Sequence, residues 1–193
     1  MSILLTGFEP FDGATVNPSW EAVQRVPDTV CGHKIRRLRL PVVYQQAADL
    51  LLEEIRRLDG DKPELVICCG VAGGRKAVTP ELVALNYRWA SIADNAGQQF
   101  CGDPVLPGGD TALMTTLPVH RIVEAIRALD VPAALSLSAG AYVCNDLYYH
   151  LLQAEKALGC RGLFVHVPGH DVLDADSAAR ALTACIEAAL TTE

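Results

Sequence analysis

The sequence lacks the features that would place the protein on nucleic acid or in a membrane. Its 16 basic residues are outnumbered by 23 acidic ones, the net charge is −7 at pH 7, and no basic stripe is present. A broad phosphate-binding surface is therefore not expected. No apolar stretch approaches the roughly 20 residues of a membrane helix. The first residues carry no basic region and too short an apolar core for a secretory signal, so we expect a cytoplasmic protein.

The cysteine and histidine patterns of metal and redox sites are also missing. The seven cysteines are scattered through apolar segments without a CxxC pair, which suits free thiols in a reducing compartment. His166 and His170 are four residues apart, but Pro168 and Gly169 between them exclude the helix of an HExxH zinc site. The glycine-rich stretch at 70–75 matches neither common nucleotide-binding pattern. We therefore expect no metal and no cofactor.

Apolar residues are abundant, at 50% of 193 positions, and they alternate between strand and helix patterns. This alternation predicts a single three-layer α/β/α domain over residues 1–193, with a mostly parallel sheet. The predicted strands cover residues 3–6, 35–40, 65–69, 133–138 and 162–167, with a weaker one at 81–88. The first predicted helix begins at Asn17-Pro18. The other predicted helices cover residues 44–58, 118–129, 144–158 and 177–190, and a long loop is predicted at 91–117.

Cys144 follows a predicted strand and a glycine turn, at the start of a predicted helix. The unpaired N–H groups and positive dipole end of a helix stabilise a thiolate there, and they can also hold an oxyanion. Ligand sites of parallel sheets lie at the carboxyl ends of strands, where this residue falls. Cys144 is therefore a candidate nucleophile, and a small buried structural thiol is the alternative.

A cysteine nucleophile needs a base, and His166 is the best-placed histidine. It ends the apolar run of another strand, so adjacent strands would bring its imidazole near Cys144. Glu81 is a candidate for the third group, which fixes the imidazole tautomer. The alternative for His166 is a core histidine bonded to a backbone carbonyl, and the alternative for Glu81 is a solvated carboxylate.

A set of short motifs also runs in order from residue 3 to residue 168. They are Leu-Leu-Thr-Gly-Phe-Glu-Pro-Phe at 4–11, Asn-Pro-Ser-Trp-Glu at 17–21, Ala-Gly-Gly-Arg at 72–75, Glu-Leu-Val-Ala-Leu-Asn at 81–86, Asp-Asn-x-Gly at 94–97, Ser-Ala-Gly-Ala-Tyr-Val-Cys-Asn at 138–145 and Phe-Val-His-Val-Pro at 164–168. Each motif alone is weak. Together they resemble the pyroglutamyl-peptidase I family, also called pyrrolidone-carboxylate peptidases.

The resemblance implies a cytosolic cysteine peptidase of class EC 3.4.19.3, which removes an N-terminal pyroglutamate from peptides without metal or cofactor. The family's catalytic triad maps onto Glu81, Cys144 and His166. Cys144 would attack the pyroglutamyl carbonyl and form a thioacyl-enzyme, which water then hydrolyses. The implied fold is one α/β domain with a twisted mixed sheet, and the implied assembly is a homo-oligomer, either tetramer or dimer.

The resemblance also implies a pocket for the pyroglutamyl ring. The family's paired phenylalanines fall on Phe8 and Phe11, and its asparagine near the first helix falls on Asn17. The expected pocket comprises Phe8, Phe11, Asn17, Val71 and Val143. Aromatic faces suit a flat uncharged lactam ring, and backbone groups can pair its N–H and C=O.

Two positions depart from the family pattern. Val71 stands where members usually carry glutamine, a change that is tolerable if the position acts through its backbone carbonyl. Ser91 stands where members usually carry an arginine associated with the active site, and Arg88 is not a simple substitute because a strand period of two puts residues 88 and 91 on opposite faces. The hypothesis is that oxyanion support then rests on the helix N-terminus alone and turnover falls roughly 100-fold or more.

Two other classes of function stay open. The loss of the arginine at Ser91 favours a non-catalytic small-molecule binding protein on the same fold, whereas the intact set of Glu81, Cys144 and His166 argues against it. An amidase or thioesterase of shifted acyl specificity is the other class, because a triad does not specify the leaving group.

Overall fold

Fifteen helices and strands make up the computed structural model, which describes residues 2–58 and 60–191. In chain order they are β1 (Ser2–Phe8), α1 (Pro18–Arg25), β2 (Thr29–Val30), β3 (His33–Leu40), α2 (Gln46–Arg57), β4 (Pro63–Val71), β5 (Thr79–Pro80), β6 (Val83–Leu85), β7 (Arg88–Trp89), β8 (Cys101–Asp103), β9 (Ala112–Met114), α3 (Val119–Arg127), α4 (Val143–Leu158), β10 (Arg161–Val167) and α5 (Ala175–Leu190). Strands and helices alternate through most of the chain, as the hydrophobic pattern predicted.

The central sheet has the strand order β2-β3-β1-β4-β10-β5. The four inner strands are parallel to one another, and the short edge strands β2 and β5 pair antiparallel. Strand β1 is buried along its whole length, and β4 and β10 are buried along most of theirs. Continuous apolar runs are expected of parallel strands that are covered on both faces.

Alternate side chains of the inner strands point into two separate hydrophobic cores. On one face, Ile67 and Val165 pack with residues of α1, α3 and α5. On the other face, Val66 and Phe164 pack with residues of α2 and α4. The three-layer α/β/α architecture with a mostly parallel mixed sheet is thereby confirmed.

Helix ends follow local capping chemistry. Asn17 caps α1 through its side-chain oxygen, which accepts from the N–H of Ser19, and Pro18 occupies the first helical position. Asp174 caps α5 in the same way by accepting from the N–H of Ser177. Helix α5 therefore begins at Ala175, two residues earlier than predicted.

The predicted strand at 133–138 is wrong as a continuous strand. The segment runs beside residues 78–82, but it forms only the isolated parallel bridges Val78↔Ala133 and Glu81↔Ser136. Proline is the reason, because Pro80 lies in the paired segment and has no N–H to donate to a ladder. The predicted long loop at 91–117 also contains the short strands β8 and β9, each of which pairs with a segment of residues 83–89.

Candidate active site

The N-terminus of α4 is an open helix end. Gly140 has a φ of 83°, a left-handed conformation that glycine adopts without strain, and Tyr142 is the extended N-cap residue. The N–H of Asp146 is bonded back to the carbonyl of Tyr142 at 3.1 Å, so the helical bonding begins there and the preceding first-turn N–H groups have no partner within the helix. Cys144 lies in this first turn, as predicted.

The thiol of Cys144 lies over the end of strand β4. Its Sγ is 2.9 Å from the position that a Cβ would take at Gly70, so only glycine leaves room for it. Gly70 is the register partner of His166 in the neighbouring parallel strand β10. Neighbouring strands are about 4.8 Å apart, and the two positions face the α4 side of the sheet. The strand register therefore brings the thiol and the imidazole to the same place.

Glu81 holds the imidazole from its other side. Its Oε1 is 2.7 Å from Nδ1 of His166, and the Glu81 side chain is completely buried. The backbone of Glu81 is fixed as well, since its N–H donates to the carbonyl of Phe164 and its carbonyl accepts from the Tyr148 hydroxyl. Because a carboxylate only accepts, Nδ1 carries the proton and Nε2 of the neutral ring is the basic nitrogen. Glu81 is thus not a solvated carboxylate.

Arg75 completes the charge balance of this cluster, and the sequence reasoning did not single it out. Its guanidinium contacts Oε1 of Glu81 and the hydroxyl of Thr79, and it donates to the carbonyl of Ser138 at 3.3 Å. A buried carboxylate needs such a partner because desolvation otherwise disfavours its charge. The available signal was the basic residue directly after the glycine pair that follows β4.

Burial shifts both the thiol of Cys144 and the imidazole of His166 toward their neutral forms. The pKa of Cys144 is raised to about 12, first by burial and then by the Glu81 carboxylate, while Arg75 opposes the rise. Burial also lowers the pKa of His166, against the opposing effect of Glu81. Desolvation therefore opposes the thiolate that the helix end is expected to stabilise, and that thiolate stays a prediction.

A pocket opens beside the thiol and contains all five residues that were predicted to form it. Its lining comprises Phe8, Phe11, Asn17, Val42, Val71, Tyr142, Val143 and Cys144. Val42 and Tyr142 were not predicted. Tyr142 enters because it is the N-cap of α4 and its ring lies 6.3 Å from that of Phe11, centroid to centroid. A larger cavity of about 440 Å³ lies between α1 and α5 and contains none of these residues.

Asn17 lines the pocket, but most of its amide is already used. Its oxygen accepts from both the N–H and the hydroxyl of Ser19, and its nitrogen donates to the carbonyl of Glu9 at 2.9 Å. One amide N–H is left for a ligand. The bonds that Asn17 makes also hold the loop that carries Phe11 against helix α1.

Ser91 does not line this pocket. It is exposed and lies in a neighbouring groove. Arg88 does not take the place of the missing arginine, since its guanidinium donates to Asp146 at 2.6 Å and to Gln45 at 3.0 Å and lies over the ring of Phe100. The hypothesis about oxyanion support at position 91 stays a prediction.

Within residues 2–58 and 60–191, no three His, Cys, Asp or Glu side chains are grouped so that they could hold a metal ion. In the same residues, no helix combines the length and the apolar composition that crossing a membrane would require.

Comparison with known proteins identifies the family of this chain. A sequence model of the pyroglutamyl peptidase family matches residues 1–191. The chain belongs to the pyroglutamyl peptidase family. A pyrrolidone-carboxylate peptidase of Klebsiella pneumoniae is 45% identical over 168 residues, which is 86% of this chain and 77% of the relative. One from Bacillus amyloliquefaciens is 44% identical over 169 residues, again 86% and 77% of the two chains.

Solved structures of the pyroglutamyl peptidase family superpose on this fold. Pyroglutamyl peptidase I from Bacillus amyloliquefaciens has a TM-score of 0.93 and 38% sequence identity, and the match covers 99% of this chain and 95% of that one. A mutant pyrrolidone carboxyl peptidase from Pyrococcus furiosus has a TM-score of 0.89 and 31% identity, with 98% of each chain covered. The predicted family and hydrolase class are confirmed, and the alternative of a non-catalytic binding protein gains no support.

Proposed function

We propose that the protein hydrolyses the bond between an N-terminal pyroglutamyl group and the rest of a peptide, with Cys144 as nucleophile. The observation that carries this proposal is the alignment of three groups. Cys144 lies over Gly70, Gly70 pairs in register with His166, and Nδ1 of His166 is 2.7 Å from Glu81. A nucleophile, a base and an orienting carboxylate in this order are the arrangement required for acyl transfer.

Attack begins from a neutral thiol and a neutral imidazole. As Sγ of Cys144 forms its bond to the pyroglutamyl carbonyl carbon, Nε2 of His166 takes the thiol proton. Glu81 then faces an imidazolium through Nδ1, and its negative charge stabilises that cation. The first-turn N–H groups of α4 bind the oxyanion that develops on the carbonyl oxygen.

Collapse of the tetrahedral intermediate releases the rest of the peptide. The imidazolium of His166 gives its proton to the leaving nitrogen, and a thioester joins Cys144 to the pyroglutamyl group. Water then attacks the thioester while His166 accepts one of its protons. The products are free pyroglutamate and the restored thiol, so no external reductant or cofactor takes part.

The lining of the pocket beside Cys144 suits a flat and uncharged ring by its chemistry. Phe8 and Phe11 line it with aromatic carbon, and Asn17 retains one amide N–H for a carbonyl oxygen. Proline has a similar ring without the lactam oxygen. A site that pairs the lactam groups rejects such an analogue strongly, because its own polar groups would stay unpaired.

We further propose that residues 1–193 act as a single peptidase domain in the cytoplasm. The family match over 1–191 supports the domain, and seven free cysteines support a reducing compartment. A homotetramer or homodimer is proposed from the resemblance to the family, and its mass in solution would test that.

The test is release of an arylamine from a pyroglutamyl arylamide and from its prolyl counterpart, under reducing conditions. We expect release from the pyroglutamyl compound alone. The Cys144→Ser variant should fold like the wild type, since the side-chain volumes are close, and should lose turnover. Wild-type-like activity in that variant would remove the nucleophile assignment, and equal cleavage of the prolyl compound would refute the pocket.

A further inference from the structure

A second depression adjoins the pocket beside Cys144. It encloses about 250 Å³ and is lined by Phe11, Trp89, Ala90, Ser91, Ile92, Ala141 and Tyr142. Phe11 and Tyr142 line the first pocket as well, so the two spaces share a wall. We call this depression the Trp89 groove.

The Trp89 groove is apolar and uncharged. Among residues 2–58 and 60–191, those that line it carry no carboxylate, guanidinium or ammonium group. Trp89 and Ile92 expose 51% and 39% of their surface there, although both side chains are large and apolar. Aromatic side chains that are left exposed beside a ligand pocket offer contact area to a ligand.

The groove is fixed to the helix that carries the nucleophile. The N–H of Trp89 donates to the carbonyl of Ala141 at 3.0 Å, and the Tyr142 hydroxyl donates to the carbonyl of Ala93 at 3.0 Å. Ala141 precedes Cys144 by three residues. These two hydrogen bonds thus fix the groove relative to the start of the helix that carries the thiol.

The position of the scissile bond decides what the groove holds. A pyroglutamyl residue is the first residue of its peptide, so the substrate chain continues from the pocket in one direction only. The Trp89 groove shares Phe11 and Tyr142 with that pocket, so it lies next to the place where the leaving residue begins. We propose that the Trp89 groove binds the side chain next to pyroglutamate and that it selects apolar and aromatic residues there; this rests on the proposed function.

Ser91 sets the electrostatic character of the groove. Serine adds no charge at the position where the family pattern has an arginine, so an acidic side chain finds no cation in the lining. An arginine at that position would supply one. Residue 91 is therefore a specificity-determining position, which favours apolar over acidic leaving residues.

The test compares kcat/KM for pyroglutamyl-phenylalanine amide, pyroglutamyl-glycine amide and pyroglutamyl-aspartate amide. The thioacyl-enzyme is the same for all three, so kcat/KM reports the step that involves the leaving residue. We expect the phenylalanine substrate to be favoured over glycine by about tenfold or more, and aspartate to be the poorest. Equal kcat/KM values would overturn the groove proposal while leaving the proposed function intact. Hydrolysis of none of the three would instead refute the proposed function.

Three variants locate the effect. Trp89→Ala should reduce the preference for phenylalanine over glycine several-fold. Tyr87→Ala removes an aromatic side chain of similar exposure that does not line the groove, so the preference should stay at its wild-type value. Ser91→Arg should raise kcat/KM for the aspartate substrate relative to phenylalanine. Ser91 is exposed, so this substitution should leave the fold intact. A preference unchanged in both Trp89→Ala and Ser91→Arg would overturn the proposal.

Discussion

The contact between Arg75 and Glu81 holds the carboxylate that orients His166. Glu81 is completely buried, whereas the Arg75 side chain keeps 29% of its surface exposed. Replacing Arg75 with glutamine leaves the carboxylate charged with only the imidazole beside it. We expect the variant to fold, to lose stability and to lose activity, because both depend on the position of the same oxygen.

The size of the effect follows from the burial of the pair. Removing one partner of a fully buried ion pair costs about 3–5 kcal/mol, and the partial exposure of Arg75 lowers this to about 2–3 kcal/mol. For a chain of this length that corresponds to a fall in Tm of about 5–10 °C. Misplacement of the imidazole should lower kcat/KM by about 10- to 100-fold.

The pH profile separates a positioning role from a purely structural one. Arg75 lowers the pKa of His166, so its removal raises that pKa. The imidazole must be neutral to accept the thiol proton. The acid limb of the kcat/KM profile therefore moves to higher pH in Arg75→Gln, and Arg75→Lys, which keeps the charge, should move it less.

The assay is thermal unfolding together with kcat/KM for a pyroglutamyl arylamide across pH. Arg57→Gln is the matched control, since Arg57 pairs with Glu54 on the surface with 70% of its side chain exposed and should change the free energy of unfolding by under about 0.5 kcal/mol. If Arg75→Gln matched that control in Tm and kept the acid limb in place, the role assigned to Arg75 would be refuted.

Three further outcomes follow from the same geometry. Gly70→Ala places a Cβ 2.9 Å from Sγ of Cys144 and should lower the free energy of unfolding, measured in urea, by about 1–3 kcal/mol. We also expect a large loss of turnover, and a wild-type kcat would contradict the assigned thiol position. Asp146→Asn leaves Arg88 without its buried carboxylate and should lower the free energy of unfolding by about 3 kcal/mol, so an unchanged urea midpoint would count against that ion pair. Because burial lowers the pKa of His166, the acid limb of wild-type kcat/KM should lie below the value of about 6.5 for a free histidine, and a limb above it would contradict a neutral resting imidazole.

Much of the architecture could be predicted from local pattern. Apolar runs marked the inner strands, and the Asn17-Pro18 cap marked the start of α1, because these signals act between residues close in sequence. The strand predicted at 133–138 failed because pairing there depends on a distant segment that contains Pro80. The motifs also identified the family, and the predicted catalytic and pocket residues lie together in space.

The sequence by itself determined the strand and helix pattern, the family and a candidate nucleophile, base and carboxylate. Other features were decided only by the tertiary structure. Sheet order and register decided that Gly70 pairs with His166, and that the thiol of Cys144 lies above them. Folding of the loop after β4 brought Arg75 to Glu81. The raised pKa of the Cys144 thiol likewise depends on burial, and burial is a property of packed neighbours that no local pattern contains.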